Sequence, residues 1–301
     1  MKLLITGASG MLGHSLIRLA SQRHEVWGSY NSFPVSFPRS QTFAMELTDM
    51  VEVKERVISI KPEAIIHTAA LTNVDACEEN PSRAELLNAQ ATNHLALLAA
   101  ELEIHFVYIS TDYVFDGKRG DYIETDIPSP INVYGQTKLL GEKAVQLCCP
   151  EALVIRTSIF GFNIQPKTGI VENIIKLLET EKPIRRFSDQ FSTPIYTGDL
   201  SPIILRLLDL KCTGLFHVGG GEKVSRHSFT LKAAEVFSLP QEMICAETFR
   251  HLKGLAERPR DTSLCGEKIE SHLRMGLPKV REGLVRLKED LRLYQEARVK
   301  L

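Results

Sequence analysis

The sequence predicts an α/β protein: a doubly wound parallel sheet with helices on both faces and a smaller, interleaved C-terminal region. Three observations carry this reading. Short unbroken apolar runs alternate with helix-period segments through the first half of the chain, the pattern of parallel strands covered on both faces. A glycine-rich turn, Thr6-Gly7-Ala8-Ser9-Gly10-Met11-Leu12-Gly13, joins the first run to the first helical segment. The alternation then loosens after Ile159, with no linker separating two halves.

The elements follow in order. Lys2–Thr6 reads as a buried strand, and Met11–Gln22 as a helix with Leu12, Leu16 and Leu19 on one face. Glu25–Ser29 is a second strand, and a third ends shortly before Glu46. Helical Met50–Ile60 precedes strand Ala64–His67; a long helix over Ser82–Leu102 precedes strand His105–Ser110; helix Asn132–Leu147 precedes strand Ala152–Arg156. Beyond these, Gly161–Thr168 reads as a loop, Ile170–Glu179 as a helix and Ser188–Pro194 as a turn-rich segment. Asp199–Leu208 is helical, Gly214–Val218 a short strand, and Ser228–Phe237 and Glu282–Ala297 are further helices.

Composition sets the class. The 301 residues suggest roughly two domains at about 150 residues each. With 44% hydrophobic residues and 24% charged ones, a large core is available. Lys and Arg number 36 against 37 Asp and Glu, a net charge of −1, which argues against nucleic-acid or membrane-surface binding by bulk electrostatics. No apolar run approaches the roughly 20 residues of a membrane span. The uncharged start from Leu3 to Ile17 is interrupted by Gly7, Ser9, Gly10 and Gly13, so it reads as strand, turn and helix, not as a signal peptide. None of the six cysteines forms a C-x-x-C pair, and the nine histidines include no H-E-x-x-H. No metal site is expected, His67 reads as a packed strand-end histidine, and a cytoplasmic protein with free thiols fits best. G-x-S-x-G is absent, so no Ser–His–Asp hydrolase is indicated.

The glycine turn has a chemical reading. Small residues let the backbone approach a pyrophosphate, and the following helix start offers free N–H groups and a positive dipole end. Gly13 would let helix and strand pack closely. A glycine-rich turn that binds nothing is the plain alternative, but its position in the first strand–helix unit favours a nucleotide.

A second constellation follows the fifth strand. In Tyr108-Ile109-Ser110-Thr111-Asp112-Tyr113, hydroxyls at a strand's carboxyl end face the crevice where open α/β sheets bind ligands. In Asn132-Val133-Tyr134-Gly135-Gln136-Thr137-Lys138, Tyr134 and Lys138 are four apart and share one helix face. A tyrosine near pKa 10 is a poor acid or base at neutral pH, and a nearby ammonium should bring it down toward the useful range. Taken alone, Y-x-x-x-K could be an exposed helical pair.

The G-x-x-G-x-x-G spacing, the Ser-Thr strand end and Y-x-x-x-K occur in the order found in the extended short-chain dehydrogenase/reductases, which this chain resembles over nearly its whole length. Ser110-Thr111-Asp112-Tyr113-Val114-Phe115-Asp116-Gly117, Arg156-Thr157-Ser158, Asp189-Gln190 with Thr193-Pro194, and Arg258-Pro259-Arg260-Asp261 narrow the resemblance to the dTDP-4-dehydrorhamnose reductase family. The regulatory beta subunits of methionine adenosyltransferase share the fold, the NADP site and much of Arg258–Leu264, and match almost as well.

The resemblance implies a Rossmann-like NAD(P)-binding domain over 1–158, with later sheet elements near 187–220, and a mainly substrate-binding region over 159–301. It implies Thr111, Tyr134 and Lys138 as the catalytic set, and Gly7, Ser9, Gly10, Met11, Leu12, Gly13, Tyr30, Asn31, Leu47, Asp49, Ala69, Ala70, Tyr134 and Lys138 as cofactor contacts. Thr111, Asp112, Asp189, Gln190 and Arg258 would meet a 4-keto nucleotide sugar, and a homodimer is compatible with the resemblance. Tyr30 stands where NAD-type members usually carry Asp, so nothing there should repel a 2′-phosphate: NADP(H) is favoured and NAD(H) allowed. No arginine clamp for that phosphate is obvious, Arg18 and Arg39 being candidates that the sequence does not place.

Several residues keep two readings. Asp49 resembles the family's adenine-side acid but could equally cap the helix at Val51. Asp189 and Gln190 could cap a turn, and Arg258 could be a surface arginine. Asn88 reads as structural, with a proton-relay role as the alternative. Asp75 and Glu78 read as a solvated helix start. Ile159-Phe160-Gly161-Phe162 departs from the family's aromatic run after Arg-Thr-Ser, which leaves the sugar open. No Glu follows Asp112, which counts against a dehydratase; an epimerase on the same scaffold is the remaining enzymatic alternative.

Overall fold

A computed structural model of the chain describes residues 1–250 and 254–299, with side chains described through 294. Its strands β1 (Lys2–Thr6), β2 (Glu25–Tyr30), β3 (Ser40–Ala44), β4 (Ala64–His67), β5 (His105–Thr111) and β6 (Leu153–Thr157) join Gly214–His217 in one parallel sheet. The order runs Gly214–His217, β6, β5, β4, β1, β2, β3. The chain therefore winds outward from β1 to β3, then returns to β4 and winds the other way. The reversal lies between β1 and β4, where doubly wound sheets open a ligand crevice at the strands' carboxyl ends.

In chain order the helices are α1 (Met11–Ala20), α2 (Met50–Ile60), α3 (Val74–Glu79), α4 (Pro81–Glu85), α5 (Ala91–Glu101), α6 (Val133–Cys148), α7 (Ile170–Glu179), α8 (Thr197–Asp209), α9 (Arg226–Phe237), α10 (Glu267–Leu273) and α11 (Val280–Val299). The strands are apolar on both faces because each face has its own helical cover. Leu3, Ile5, Ile66, Val107 and Ile155 pack with Leu12 and Leu16 of α1 and Leu200 and Ile204 of α8. Their alternates Leu4, Ile65, Phe106, Tyr108 and Val154 pack with Val53 and Val57 of α2, Leu95 and Ala99 of α5, and Val145 of α6. A third core, including Phe160, Phe162, Ile174, Phe229, Ala233, Leu284 and Leu287, gathers the later helices α7, α9 and α11.

Two expectations are corrected. The single helix over Ser82–Leu102 is α4, a π-helical turn Leu86–Gln90, and α5. The wider turn accompanies a fully buried Asn88, which could not be placed by a 3.6-residue period. The turn-rich Ser188–Pro194 contains strand Phe191–Ser192, paired antiparallel with Val224–Ser225. Two further ladders, Ile159–Phe160 with Ile195–Tyr196 and Ile184–Phe187 with Ile244–Glu247, are also short. Two to four residues are too few to display an alternating pattern. Among the described residues no helix is long and apolar enough to cross a membrane, and no cluster of His, Cys, Asp and Glu could hold a metal ion. All six cysteines are free thiols.

Candidate active site

A cleft of about 560 Å³ opens at the carboxyl ends of β1, β2, β4 and β5. The glycine turn forms one wall. Gly7 has φ +74°, and a side chain there would meet the Ala69 amide at 2.9 Å. A Cβ on Gly13 would fall 2.1 Å from the Gly7 carbonyl oxygen, so Gly13 lets α1 pack on the turn and does not line the cleft. Gly10 caps α1 without a side-chain acceptor for the first-turn N–H groups. Gly10, Met11 and Leu12 line the cleft, so this helix start suits an anionic pyrophosphate. Ser9 also lines it, its hydroxyl and carbonyl oxygens each accepting from Gln165 Nε2 at 2.8 Å.

Tyr30, Asn31, Leu47, Ala69 and Ala70 continue the lining. Asp49 does not reach it: its carboxylate accepts from the Val51 and Glu52 amides at 3.1 and 3.0 Å and caps α2. The acid at this end of the cleft is Glu46, three residues earlier and missed from the sequence. Glu46 accepts from Asn31 Nδ2 at 2.8 Å and from the Thr48 amide and hydroxyl. Burial alone would raise its pKa, but these hydrogen bonds outweigh that and hold it below the usual carboxylate range. A carboxylate is thus present beside Asn31 after all, contrary to the expectation drawn from Tyr30. Among the described residues the lining includes no arginine; Arg18 instead bonds Asp290 of α11 at 2.8 Å.

Thr111, Asp112, Tyr113, Tyr134 and Lys138 line the opposite wall. The π-helical turn supports it: buried Asn88 accepts from the Leu71 amide at 2.7 Å and donates to the Leu71 carbonyl and the Thr137 hydroxyl. That clamps the β4–α3 loop to α6 and matches the structural reading of Asn88. His67 is fully buried between the Thr6 and Thr92 hydroxyls, and burial pushes its pKa down to about 3.

Lys138 Nζ donates to the Ile109 carbonyl at 2.8 Å and lies 4.1 Å from the Tyr108 ring centroid. Burial pushes its pKa down to about 7, partly opposed by Glu142. Glu142 is itself held in a buried pair with Arg156 at 2.7 Å and accepts from Ser110 at 2.5 Å. Tyr134 does not follow expectation. Its pKa is raised, chiefly by burial and further by Asp112 and Tyr113, with a hydrogen-bonding contact between Tyr134 and Thr111 only partly opposing them. Tyr134 is therefore a protonated phenol at neutral pH, a state suited to giving a proton. Asp112 is buried, and its pKa is pushed up to about 6.

The remaining predicted substrate residues lie outside the cleft lining and are engaged with the protein. Asp189 accepts from the Phe249 amide at 2.6 Å and from Arg260 at 2.7 Å. Gln190 donates to the Pro259 carbonyl at 3.1 Å. Arg258 holds Asp75 in a bidentate pair, both bonds 2.8 Å. Asp75 is thereby a fixed anchor, not a solvated helix start, and Glu78 accepts from the Val133 amide at 3.1 Å. After Arg156-Thr157-Ser158, Phe160 and Phe162 turn into the third core while Ile159 faces the cleft.

The cleft thus carries the Thr111 and Tyr134 side chains and Lys138 on one wall and the glycine turn on another. The RmlD substrate binding domain profile matches residues 1–293. The chain belongs to the RmlD family. This RmlD-family chain is 35% identical to the probable low-salt glycan biosynthesis reductase Agl14 of Haloferax volcanii, over 94% of this chain and 96% of that protein. It is 30% identical to methionine adenosyltransferase 2 subunit beta of Bos taurus, over 90% of this chain and 82% of that one. A solved hypothetical dTDP-4-dehydrorhamnose reductase from Sulfolobus tokodaii is 38% identical, with TM-score 0.83 over 94% of this chain and 99% of its own. A dTDP-4-dehydrorhamnose reductase from Bacillus anthracis, solved in complex with NADP, is 28% identical, with TM-score 0.82 over 96% and 98%.

Proposed function

We propose that this chain is an NAD(P)H-dependent oxidoreductase that reduces a 4-keto nucleotide sugar, with dTDP-4-dehydrorhamnose as the preferred substrate. The observation that carries the reading is the sharing of one cleft by an uncapped helix start, the Thr111 and Tyr134 hydroxyls and the Lys138 ammonium. A bound nicotinamide dinucleotide supplies the hydride. Gly7, Ser9, Gly10, Met11 and Leu12 hold its pyrophosphate, and Tyr30, Asn31, Leu47, Ala69 and Ala70 flank the rest. Thr111 steadies the keto oxygen, and Tyr134, protonated at neutral pH, gives that oxygen its proton. Lys138 stabilises the phenolate left behind. Asp112 borders the substrate end of the cleft, and Asp189, Gln190 and Arg258 act beside it by holding the 256–265 segment in place.

NADP(H) is the favoured cofactor and NAD(H) is accepted. Tyr30 in place of an acid supports this, as does the NADP complex of the Bacillus anthracis relative. Glu46, facing the same end of the cleft, keeps the preference modest.

The test is NADPH oxidation with dTDP-4-dehydrorhamnose, with NADH run beside it. Turnover with NADPH at higher kcat/KM is expected. The 30% identity to a methionine adenosyltransferase beta subunit supports a second reading, a cofactor-binding regulatory subunit. Absence of turnover across several 4-keto nucleotide sugars, together with stable binding to a methionine adenosyltransferase catalytic subunit, would favour it.

A further inference from the structure

Residues 256–265 form a strap along the substrate side of the cleft. Its backbone is tied down repeatedly: the Asp261 amide donates to Gly117, the Thr262 amide to Phe191, and the Phe191 amide to Arg260, at 2.7–3.0 Å. Thr262 is 2% exposed and has no place in the machinery described above. Its hydroxyl donates to Asp112 Oδ2 at 2.5 Å. The other Asp112 oxygen, Oδ1, accepts from the Thr111 hydroxyl at 3.1 Å. Thr111 Oγ1 in turn accepts from the Tyr113 amide at 3.2 Å.

Proton bookkeeping makes this chain directional. While Asp112 is ionised it accepts from both threonines, and the Thr111 hydrogen points at the carboxylate. If Asp112 gains a proton, it can become a donor toward Thr111, and the Thr111 hydrogen is released toward an oxygen in the cleft. Burial favours the neutral acid, whereas the Thr262 hydrogen bond favours the carboxylate. The charged group that acts on Asp112 is Arg226 at the start of α9, which favours the carboxylate; Asp112 in turn acts on Tyr134 of α6, as does Tyr113 beside it.

We propose that Thr262 is a positioning residue: it holds Asp112, and through Asp112 it sets the direction of the Thr111 hydroxyl, tying the strap to the reacting end of the cleft. The inference rests on the reductase reading for its catalytic consequence, but not for the carboxyl it controls.

The test compares wild type with Thr262→Val, which keeps the shape and removes the hydroxyl, and Thr262→Ser, which restores it. Thr262→Ala serves if the valine variant does not fold. Carboxyl ¹³C NMR, with the Asp112 signal identified by its loss in Asp112→Asn, reads the titration directly without substrate. The midpoint should rise by about 1–2 pH units in Thr262→Val, the scale of one hydrogen bond to a charged group, and return in Thr262→Ser. The Asp112 limb of kcat/KM against pH should move by the same amount. At pH 7 the larger share of neutral Asp112 frees the Thr111 hydrogen toward the keto oxygen, so kcat should rise several-fold, with NADPH affinity unchanged. A valine variant with the wild-type midpoint overturns the proposal, as does a serine variant that keeps the raised midpoint of the valine variant. Absence of wild-type turnover defeats the reductase reading instead, and the NMR titration still decides whether Thr262 controls Asp112.

Discussion

Along the inner wall of the cleft, Thr111, Tyr134 and Lys138 all border the open volume. In the neighbouring strap and its anchors the comparable groups are spent within the protein: Arg258 on Asp75, Asp189 on Arg260 and Phe249, Gln190 on Pro259. The inner wall stands on β5 and α6, elements whose backbone is largely satisfied by sheet and helix, so its side chains border the open cleft even where Lys138 also donates to Ile109 and Thr111 to Asp112. The strap has little regular structure, and its polar side chains satisfy backbone groups and hold the strap in place. The same residue types therefore serve chemistry on one wall and anchorage on the other.

The sharpest way to break this contrast is Tyr134→Phe, which keeps the ring and removes the proton donor. Turnover should fall about 100- to 10,000-fold while NADPH affinity stays within a few-fold, read by single-turnover kinetics and a parallel cofactor titration. Equal rates would remove Tyr134 from the chemistry and leave the inner wall no more functional than the strap.

A pH series gives the next largest effect. Burial lowers the Lys138 pKa to about 7, so the ammonium is present below that pH and lost above it. The free-enzyme profile, kcat/KM for NADPH, should decline above pH 7 by up to about tenfold per unit. Lys138→Arg, which stays charged, should abolish that decline whatever its effect on the maximum. A wild-type profile flat to pH 9 would contradict the assignment.

The smallest effect belongs to the strap. Asp75→Asn leaves Arg258 without its ionic partner. Because the pair is only partly buried, the stability loss should be about 1 kcal/mol or less. KM for the nucleotide sugar should change several-fold, with kcat little altered. A fall in kcat as large as that of Tyr134→Phe would erase the distinction between the two walls.

What was legible in the sequence follows the same division. The Gly7–Gly13 turn, Thr111 at a strand end and the Tyr134–Lys138 spacing depend on contacts within one strand–helix unit, so local periodicity carried them. Asp49 and Glu46 show the limit. Both are acids after the third strand, and only the hydrogen bonds of the folded chain make one a helix cap and turn the other into the cleft. Lys138 likewise sits beside Tyr134 in the expected helical register, yet its ammonium faces Ile109 and Tyr108, and burial, not the ammonium, governs the phenol.

By itself, then, the sequence determined the parallel sheet, the crevice at its reversal and the residues of the inner wall, because strand and helix periods and a glycine turn are encoded within short spans. Only the tertiary structure decided that Arg258 closes on Asp75, that Glu46 faces the cleft, and that Thr262 reaches Asp112 across 150 residues of chain. Those outcomes depend on hydrogen bonds and burial between segments far apart in sequence, and neither propensity nor spacing carries information about such partners.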